Sequence, residues 1–342
     1  MTDGAARMRS LAEELPEQIE RGWQRQGSLQ LPFGPSDVRA VAVAGMGGSA
    51  IGADLVAAVL EDLLAVPLVT VRDSALPGWV DPRTLLVASS YSGNTQETLH
   101  AFEEADRRGA RRVAITSGGA LAERAAGRGV PLVGLPAGLP PRAALGWSLT
   151  ALSGVLRAAG LLADPTAALR SAAQAMRRLV AEEQSGGEGR AGRVADLLVG
   201  RVPVVMAPER LGAVARRWKT QLNENAKVTA VWDTLPELAH NSVEGFGAPA
   251  AVRNSTATVL LRGSGARGHA AVVALGVTHA LRGADLPFVD VEAPPDTPAA
   301  EALWLLQLGD LVSLELAQRI GVDPLPVAAI ERLKTALAGR SE

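Results

Sequence analysis

The sequence predicts an α/β protein made of two doubly wound parallel sheets, each flanked by helices. Its apolar residues occur in short continuous runs rich in Val, Ala and Leu, which is typical of strands buried on both faces of a parallel sheet. Helical patterns alternate with these runs, as they do where a helix connects each strand to a parallel neighbour. The alternation occurs twice, on either side of a stretch that contains helical patterns only.

In the first half, five runs are predicted as buried strands: VRAVAVAG, VPLVTVR, TLLVASS, RRVAITS and VPLVGLP. The stretches SAIGADLVAAVLEDL and QETLHAFEEADRRG between them have helical patterns. The segment before the first strand, MTDGAARMRSLAEELPEQIERGWQ, is charged throughout and predicts an amphipathic helix.

The second half repeats this order after helical patterns from about Leu145 to Gln184 and a glycine-rich stretch, SGGEGRAGR. The second series comprises RVPVVMA, a helix from Glu209 to about Ala226, TATVLLRGSG, the helix HAAVVALGVTHALRG, PFVDVEAP and a final helix from Val327 to Leu337. VLLRGSGARGHAAVVALG also resembles VASSYSGNTQETLHAFEE, which indicates a weak internal duplication. The predicted divisions are a helical segment (1–38), a first α/β domain (39–150), a helical connector and linker (151–193) and a second α/β domain with a C-terminal helix (194–342).

Composition excludes several classes of function. The net charge is −2, so no basic excess points to nucleic acid or an anionic membrane surface. The chain has no cysteine, which excludes disulfides, thiol nucleophiles and thiolate metal sites. We find no signal-peptide core and no apolar run long enough to span a membrane, so the cytoplasm is the expected location.

A glycine turn, GMGGSA, follows the first predicted strand and opens a helix. Such a turn lets backbone N–H groups approach an anion at a helix N-terminus. One candidate ligand is a dinucleotide, because the spacing fits loosely and Asp73 at the end of the second strand could meet a ribose hydroxyl. The turn alone leaves the ligand open.

A second polar turn, SSYSGNT, follows the third predicted strand and contains Tyr91, the only tyrosine of the chain. In a doubly wound sheet this turn lies at the same edge as the glycine turn, so Ser90, Ser92 and Thr95 can converge on one phosphate. A dinucleotide does not need this second set of phosphate-binding hydroxyl groups, whereas a compact sugar phosphate does. The competing interpretation is a capping box made by Asn94 and Glu97, which leaves the serines unexplained.

At these two turns the chain resembles a known family. GMGGSA and SSYSGNTQET are similar to the phosphate-site motifs of the sugar isomerase (SIS) domain, a flavodoxin-like αβα sandwich. PPRAALGW, QLNENAK, PELAHN and IERLK, in that order, resemble the bifunctional phosphoglucose/phosphomannose isomerases. The resemblance runs from about Val41 to Lys334. It implies two SIS domains in each chain, a homodimer, and a phosphate site that includes Gly48, Ser49, Ser90, Ser92 and Thr95.

The resemblance also implies roles for four further residues. Glu224 would be the base that moves a proton between C1 and C2 of a hexose 6-phosphate through a cis-enediol. Arg142 would stabilise the enediolate, while His240, supplied by the other subunit, and Lys334 would open the sugar ring. No cofactor and no metal are implied.

The residues themselves support these roles unequally. Glu224 lies off the apolar stripe of its helix and near the helix C-terminus, where the dipole disfavours a carboxylate, although an ion pair with Lys227 would also explain it. Only three of the 34 basic residues are lysine, so Lys334 is retained against a strong arginine bias. That bias leaves Arg142 open to interpretation as one more surface arginine. His240 follows the proline-containing segment WDTLPELAHN, which predicts a loop.

Two departures from the family affect the predicted activity. The histidine motif commonly continues as HNE, but this chain has Ser242 in place of the carboxylate, with Glu244 two residues later. Archaeal members carry a threonine before the lysine that is linked to the mannose epimer, and DPLPVAAIERLK has none. Turnover of mannose 6-phosphate is therefore less strongly predicted than turnover of glucose 6-phosphate.

Four scattered histidines without H-x-H or H-E-x-x-H spacing argue against a zinc-dependent isomerase, and the absence of cysteine argues against an SIS amidotransferase. Two alternatives remain: a non-catalytic sugar-phosphate sensor, which the altered histidine motif would permit, and a nucleotide-binding oxidoreductase. Turnover of fructose 6-phosphate and affinity for NAD(P) distinguish these alternatives from the predicted isomerase.

Overall fold

The computed structural model describes residues 3–27, 29–186, 189–264 and 269–338. The chain divides into two compact units. What we call the N-terminal unit contains Glu14–Arg178 and Pro294–Trp304, and the C-terminal unit contains Met1–Glu13, Leu179–Ala293 and Leu305–Glu342. Each predicted domain is one continuous range of residues, whereas each unit combines separate ranges. The predicted domain limits remain predictions.

The first residues form two helices, α1 (Asp3–Glu13) and α2 (Leu15–Gln24), where the sequence predicted one. Pro16 lies in the first turn of α2. Proline lacks a backbone N–H and is tolerated in the first turn of a helix but not in its interior. The helical periodicity therefore continues across residue 14 while the helix itself does not.

The N-terminal unit contains a parallel sheet whose strands were all predicted. They are β1 (Ala40–Ala44), β2 (Leu68–Val71), β3 (Thr84–Ser89), β4 (Arg111–Thr116) and β5 (Leu132–Gly134), arranged in the order β2-β1-β3-β4-β5. β1, β3 and β4 are mostly buried, as expected. β2 and β5 are half-exposed because they form the two edges of the sheet, where one side of the strand has no neighbour.

Helices cover this sheet and continue into a strand-free stretch, as predicted. They are α3 (Gly47–Val59), α4 (Gln96–Arg107), α5 (Gly119–Gly127), α6 (Leu145–Ala158) and α7 (Thr166–Gln184). Phe102 on α4 and Leu121 on α5 pack with Ala88 and Ala114 of the sheet in one fully buried cluster. Burial of such apolar area is the main stabilising contribution to the fold.

The C-terminal unit contains a second parallel sheet. Its strands are β6 (Val202–Pro208), β7 (Val231–Leu235), β8 (Thr256–Arg262) and β9 (Phe288–Glu292), in the order β7-β6-β8-β9. By sequence rank this is the same 2-1-3-4 arrangement as β2-β1-β3-β4, which supports the predicted duplication. β7 was not predicted as a strand: it is a half-exposed edge strand, and polar Asp233 and Thr234 interrupt its apolar residues.

Three helices of this unit were not predicted: Arg190–Leu198, which begins inside the glycine-rich stretch SGGEGRAGR, Ala250–Asn254 and Pro298–Arg319. The helices of the unit are α8 (Arg190–Leu198), α9 (Gly212–Glu224), α10 (Ala250–Asn254), α11 (His269–Gly283), α12 (Pro298–Arg319) and α13 (Ala328–Ala338). α12, which begins in the N-terminal unit, is buried on nearly every side. Because polar residues such as Asp310 are buried together with the apolar ones, the sequence of this helix has no clear division into an apolar and a polar face for a periodicity argument to find.

Polar contacts between α9 and α12 hold the C-terminal half of α9 in place. Arg217 and Asp310 form an ion pair at 2.8 Å with side chains 2% and 3% exposed. One residue past the end of α9, Asn225 Nδ2 donates to Ser313 Oγ at 2.9 Å. The last residue of α9, Glu224, therefore lies on a well-anchored helix end. Within the described part of the chain, no helix is both long and apolar enough to cross a bilayer.

Candidate active site

The carboxyl ends of β1 and β3 lie side by side at one edge of the N-terminal sheet. β1 pairs with β2 on one side and β3 on the other, so the connection after β1 leads one way and the connection after β3 the other. Such a switch leaves a crevice in which ligands of open parallel sheets bind. A β-carbon placed on Gly45, just after β1, would lie 2.8 Å from the carbonyl oxygen of Ser89, at the end of β3. The two polar turns of the sequence are therefore direct neighbours.

The glycine turn leads directly into the N-terminus of α3. The helix begins at Gly47, and no hydrogen bond from the N-cap side chain caps its first turn. The first N–H groups of a helix carry partial positive charge and favour an anion when no side chain caps them. Gly48 and Ser49 both lie in this turn, and Ser49 is 8% exposed.

The hydroxyl turn leads into the N-terminus of α4 in the same way. Thr95 occupies the N-cap position, but its side chain makes no capping hydrogen bond. Its Oγ1 lies 2.8 Å from Ser90 Oγ, which also accepts the N–H of Gly93 at 3.1 Å. Ser90 is buried, whereas Ser92 is exposed and Thr95 is half-buried. Ser90 thus organises the turn from inside, and the other two hydroxyls lie where a ligand can reach them.

The capping-box interpretation of this turn is wrong. Asn94 is not the N-cap of α4, and its Oδ1 accepts a hydrogen bond from the N–H of Ala120 at 3.0 Å. The side chain links the turn to the start of α5. The first turn of α4 is therefore left available to an anion.

Arg142 is not a surface arginine. It lies in a short 3-10 helix, Pro141–Ala143, and is 4% exposed. A β-carbon on Gly48 would approach the Pro141 carbonyl oxygen to 3.1 Å and Arg142 Cα to 3.7 Å. The backbone that carries Arg142 therefore packs directly on the first turn of α3. A buried arginine whose backbone packs on an uncapped helix N-terminus is a candidate for stabilising negative charge there.

Replacing Gly93 by alanine is expected to disrupt the hydroxyl turn. Gly93 has φ +71°, and its new β-carbon would lie 1.8 Å from the carbonyl oxygen of Gly118, so the backbone must move. The left-handed conformation alone costs about 1–2 kcal/mol. Calorimetry should show a lower Tm and weakened binding of inorganic phosphate. Gly134→Ala, where the new β-carbon meets nothing within 4 Å, is the matched control; wild-type phosphate affinity in Gly93→Ala would contradict the assignment of the turn.

On the C-terminal unit, Glu224 is the last residue of α9 and is half-buried. The predicted apolar stripe of this helix is confirmed, because its members are 8% exposed or less: Leu211, Ala215, Trp218 and Leu222. Lys227 Nζ donates to the backbone carbonyl of Glu224 and to those of Pro324 at 3.3 Å and Pro326 at 2.7 Å. The ammonium group thus bonds to main-chain carbonyl oxygens at the end of α9 and in the segment before α13.

His240 lies a few residues beyond the carboxyl end of the edge strand β7. The predicted loop, WDTLPELAHN, is partly wrong: its first residues belong to β7, and His240 ends a 3-10 helix, Glu237–His240. Its side chain is exposed. An exposed histidine at the end of a short helical turn is accessible to a ligand or a partner.

Ser242 forms a contact that bears on its departure from the family motif. Its Oγ donates to Oδ2 of Asp233, a half-buried residue of β7, while Glu244 is exposed. A carboxylate from the neighbouring strand therefore meets residue 242, where the family commonly has its own. Sequence reasoning missed Asp233 because the residue lies nine positions upstream of the motif it contacts.

Lys334 is exposed on α13. The structure thus assigns the predicted residues to the two units separately. Gly48, Ser49, Ser90, Ser92, Thr95 and Arg142 lie on adjoining loops of the N-terminal unit, and Glu224, His240 and Lys334 belong to the C-terminal unit. Their roles in a reaction stay predictions.

The two rival ligands, a dinucleotide and a metal ion, receive no support from the described residues. Asp73, the candidate ribose ligand, is occupied by its own turn: its Oδ1 accepts the N–H groups of Ala75 and Ser74, which lowers the pKa of the carboxyl group below its usual value. Across the described ranges, no group of three or more His, Asp or Glu side chains is arranged to hold a metal ion.

Gln18 on α2 is a further residue of this region that the sequence analysis missed. It is 4% exposed, and its Nε2 donates to the carbonyl oxygen of Ala143, next to Arg142, at 2.8 Å. The signal was present, since Gln18 lies at helical spacing between the buried Leu15 and Gly22. A polar residue on the buried face of an amphipathic helix indicates a specific hydrogen-bond partner.

Family models define the class of protein. A model described as "SIS domain" matches residues 36–127, and one described as "Bacterial phospho-glucose isomerase C-terminal SIS domain" matches residues 188–337. A hypothetical protein of Thermus thermophilus has a similar fold, with a TM-score of 0.75 and 19% identity over 99% of this chain and 94% of that one. The chain is therefore a tandem SIS-domain protein, and the predicted fold class is confirmed.

Curated relatives define the family within that class. A bifunctional phosphoglucose/phosphomannose isomerase of Caldicellulosiruptor bescii is 33% identical over 95% of this chain and 97% of its own length. One from Aquifex aeolicus is 35% identical over 87% of this chain and 90% of its own. The chain belongs to the bifunctional phosphoglucose/phosphomannose isomerase family, as the sequence motifs predicted.

Proposed function

We propose that this protein is an isomerase that interconverts glucose 6-phosphate, and mannose 6-phosphate, with fructose 6-phosphate through a cis-enediol. The observation that carries the proposal is the pairing of two helix N-termini, α3 and α4, with reachable hydroxyls and the buried Arg142 at one sheet edge. The names of the relatives supply the substrates. A phosphate with its sugar attached fits this arrangement of donors better than a dinucleotide does.

In this proposal, Ser49, Ser92, Thr95 and the N–H of Gly48 hold the phosphate, with Ser90 supporting the turn. Dianionic phosphate gains from both helix dipoles, and charge-assisted hydrogen bonds to it are stronger than neutral ones. Binding through the remote phosphate also orients the other end of the sugar for reaction.

The chemistry then requires one proton to move between two carbons. After His240 and Lys334 have helped to open the ring of glucose 6-phosphate, Glu224 removes the proton from C2, and an enediolate forms as electrons move onto O1. The hydroxyl proton of O2 passes to O1, and Glu224 returns its own proton to C1 while O2 becomes the carbonyl oxygen of fructose 6-phosphate. Arg142 stabilises the negative charge that develops on these oxygens. No redox cofactor takes part, because the hydrogen and electrons stay within the sugar.

A coupled assay that follows glucose 6-phosphate formation from fructose 6-phosphate tests the proposal. A second assay starting from mannose 6-phosphate tests the epimer, for which the missing threonine predicts slower turnover. The sensor alternative is not favoured, because the relatives that match this chain over nearly its full length are named as enzymes. Thermal stabilisation by fructose 6-phosphate without turnover would nevertheless establish it and overturn the isomerase.

The proposal includes a cytoplasmic homodimer in which each subunit donates His240 to its partner's site. The exposure of His240 supports such a role. Mixing and re-forming dimers of Glu224→Gln and His240→Ala tests it: random exchange makes half the dimers mixed, each with one intact site, so about a quarter of wild-type activity should return. If His240 acts within its own chain, no mixed dimer has an intact site and activity stays absent.

A further inference from the structure

The side chain of Tyr91, the only tyrosine of the chain, forms hydrogen bonds to a distant backbone segment. Phosphate binding does not explain these bonds. The residue is 9% exposed. Its hydroxyl donates to the carbonyl oxygen of Pro136 at 2.7 Å and accepts the N–H of Leu139 at 2.9 Å. The hydroxyl therefore satisfies a donor and an acceptor of one backbone segment, some 45 residues further along the chain.

The other end of Tyr91 is itself fixed. Its carbonyl oxygen accepts the N–H of Ser117 at 3.0 Å and the hydroxyl of the same residue at 2.6 Å. These bonds tie the hydroxyl turn to the end of β4. The side chain thus connects a rigid sheet edge to the segment that follows β5.

That segment leads directly to Arg142. Leu139 is followed by Pro140 and Pro141, and proline fixes φ near −65°, so little freedom remains between the bond at Leu139 and the guanidinium-bearing residue. The 3-10 helix is closed by the N–H of Ala143 donating to Pro140 O at 2.8 Å. A position imposed at Leu139 is therefore transmitted to Arg142.

Gln18 holds the same helix from its other end. Its Nε2 donates to Ala143 O at 2.8 Å, and its Oε1 is buried without a hydrogen-bond partner among the described residues. Gln18 thus bonds directly to the main chain of the residue next to Arg142. Gly48 supports the turn on a third side, where a side chain would meet Pro141 O.

We propose that Tyr91 and Gln18 are positioning residues that hold the Arg142 guanidinium in the place where the enediolate forms. The inference rests on the role of Arg142 in the proposed function. Fixing a charged donor before the substrate arrives removes the cost of ordering it during the reaction, and misplacement by about 1 Å can lower a rate by about a hundredfold.

Tyr91→Phe and Gln18→Leu test the inference. We expect kcat to fall about ten- to a hundredfold in each, while binding of inorganic phosphate and KM for fructose 6-phosphate change little. A loss of stability alone would not split kcat from KM in this way. Gln26→Leu is the matched control: Gln26 Nε2 also donates to a backbone carbonyl, Gly22 O at 3.1 Å, but away from the Arg142 turn, and kcat should be retained.

A double-mutant cycle separates this inference from the proposed function. In an Arg142→Ala background, Tyr91→Phe should lower kcat no further, because there is no guanidinium left to position. Full kcat in both Tyr91→Phe and Gln18→Leu, additive losses, or weakened phosphate binding without a change in kcat would overturn the inference while leaving the isomerase intact. Full kcat in Arg142→Ala would instead overturn the role of Arg142 in the proposed function. If Tyr91→Phe fails to fold, Gln18→Leu decides the question alone.

Discussion

Glu224→Gln is expected to lower kcat for fructose 6-phosphate by about 10³-fold, within the range attributed to general acid–base catalysis. Glutamine has nearly the same shape and can still donate and accept hydrogen bonds, but it cannot take a proton from carbon. The affinity for inorganic phosphate should be unchanged, because in the proposed function Glu224 acts on C1 and C2 of the sugar and not on the phosphate group. Turnover is measured by the coupled assay and phosphate affinity by calorimetry.

A second measurement identifies the step that is lost. In D₂O the wild-type protein should introduce deuterium at C2 of glucose 6-phosphate or C1 of fructose 6-phosphate to the extent that the carboxyl proton exchanges with solvent during turnover, and the variant should not. Glu209→Gln is the control, because Glu209 is an exposed glutamate just before the same helix. Substantial isomerisation by Glu224→Gln would show that another group is the base.

Arg142→Ala is expected to lower kcat and kcat/KM together by about 10²- to 10³-fold, as does the loss of one donor to a developing oxyanion. Arg142→Lys should recover only part of the loss, because an ammonium keeps the charge but lacks the planar set of donors. KM should change less than kcat, since the charge develops in the transition state rather than on the bound sugar.

Chemical rescue distinguishes this role from a structural one. Arg142 is buried, so the alanine variant contains a space that free guanidinium can enter, and added guanidinium should restore part of kcat. Arg157→Ala, at an exposed arginine of α6 in the same unit, should have wild-type kcat. Loss of activity in Arg142→Ala that follows a loss of folded protein, with no response to guanidinium, would contradict the enediolate role.

Most of the secondary structure could be predicted because it depends on local properties. The runs that became β1, β3 and β4 are continuous in Val, Ala and Leu, and the turns between elements contain the glycines that such turns require. The failures have local causes too. β7 is a half-exposed edge strand with polar residues in its middle, and α12 is buried on nearly every side, its polar residues included.

The candidate site was predictable to a lesser degree. Hydroxyls and glycines at the ends of β1 and β3 indicated a phosphate site because parallel strands bring their carboxyl ends to one edge. The hydrogen-bond partners of individual side chains could not be predicted from the sequence. Asn94 has the pattern of a helix cap, but its side chain accepts a hydrogen bond from Ala120 instead. A hydrogen bond between turns that are distant in sequence has no signature in either turn.

By itself, the sequence determined the class of fold, most of the strands and helices in their order along the chain, the two phosphate-type turns and the family. These depend on periodicity and turn chemistry within short windows, or on motifs read in order. Only the tertiary structure decided that Arg142 is buried against Gly48 and that Gln18 and Tyr91 hold its turn. Those contacts join residues tens to more than a hundred positions apart, so they depend on how the sheet and its helices pack, which no local pattern encodes.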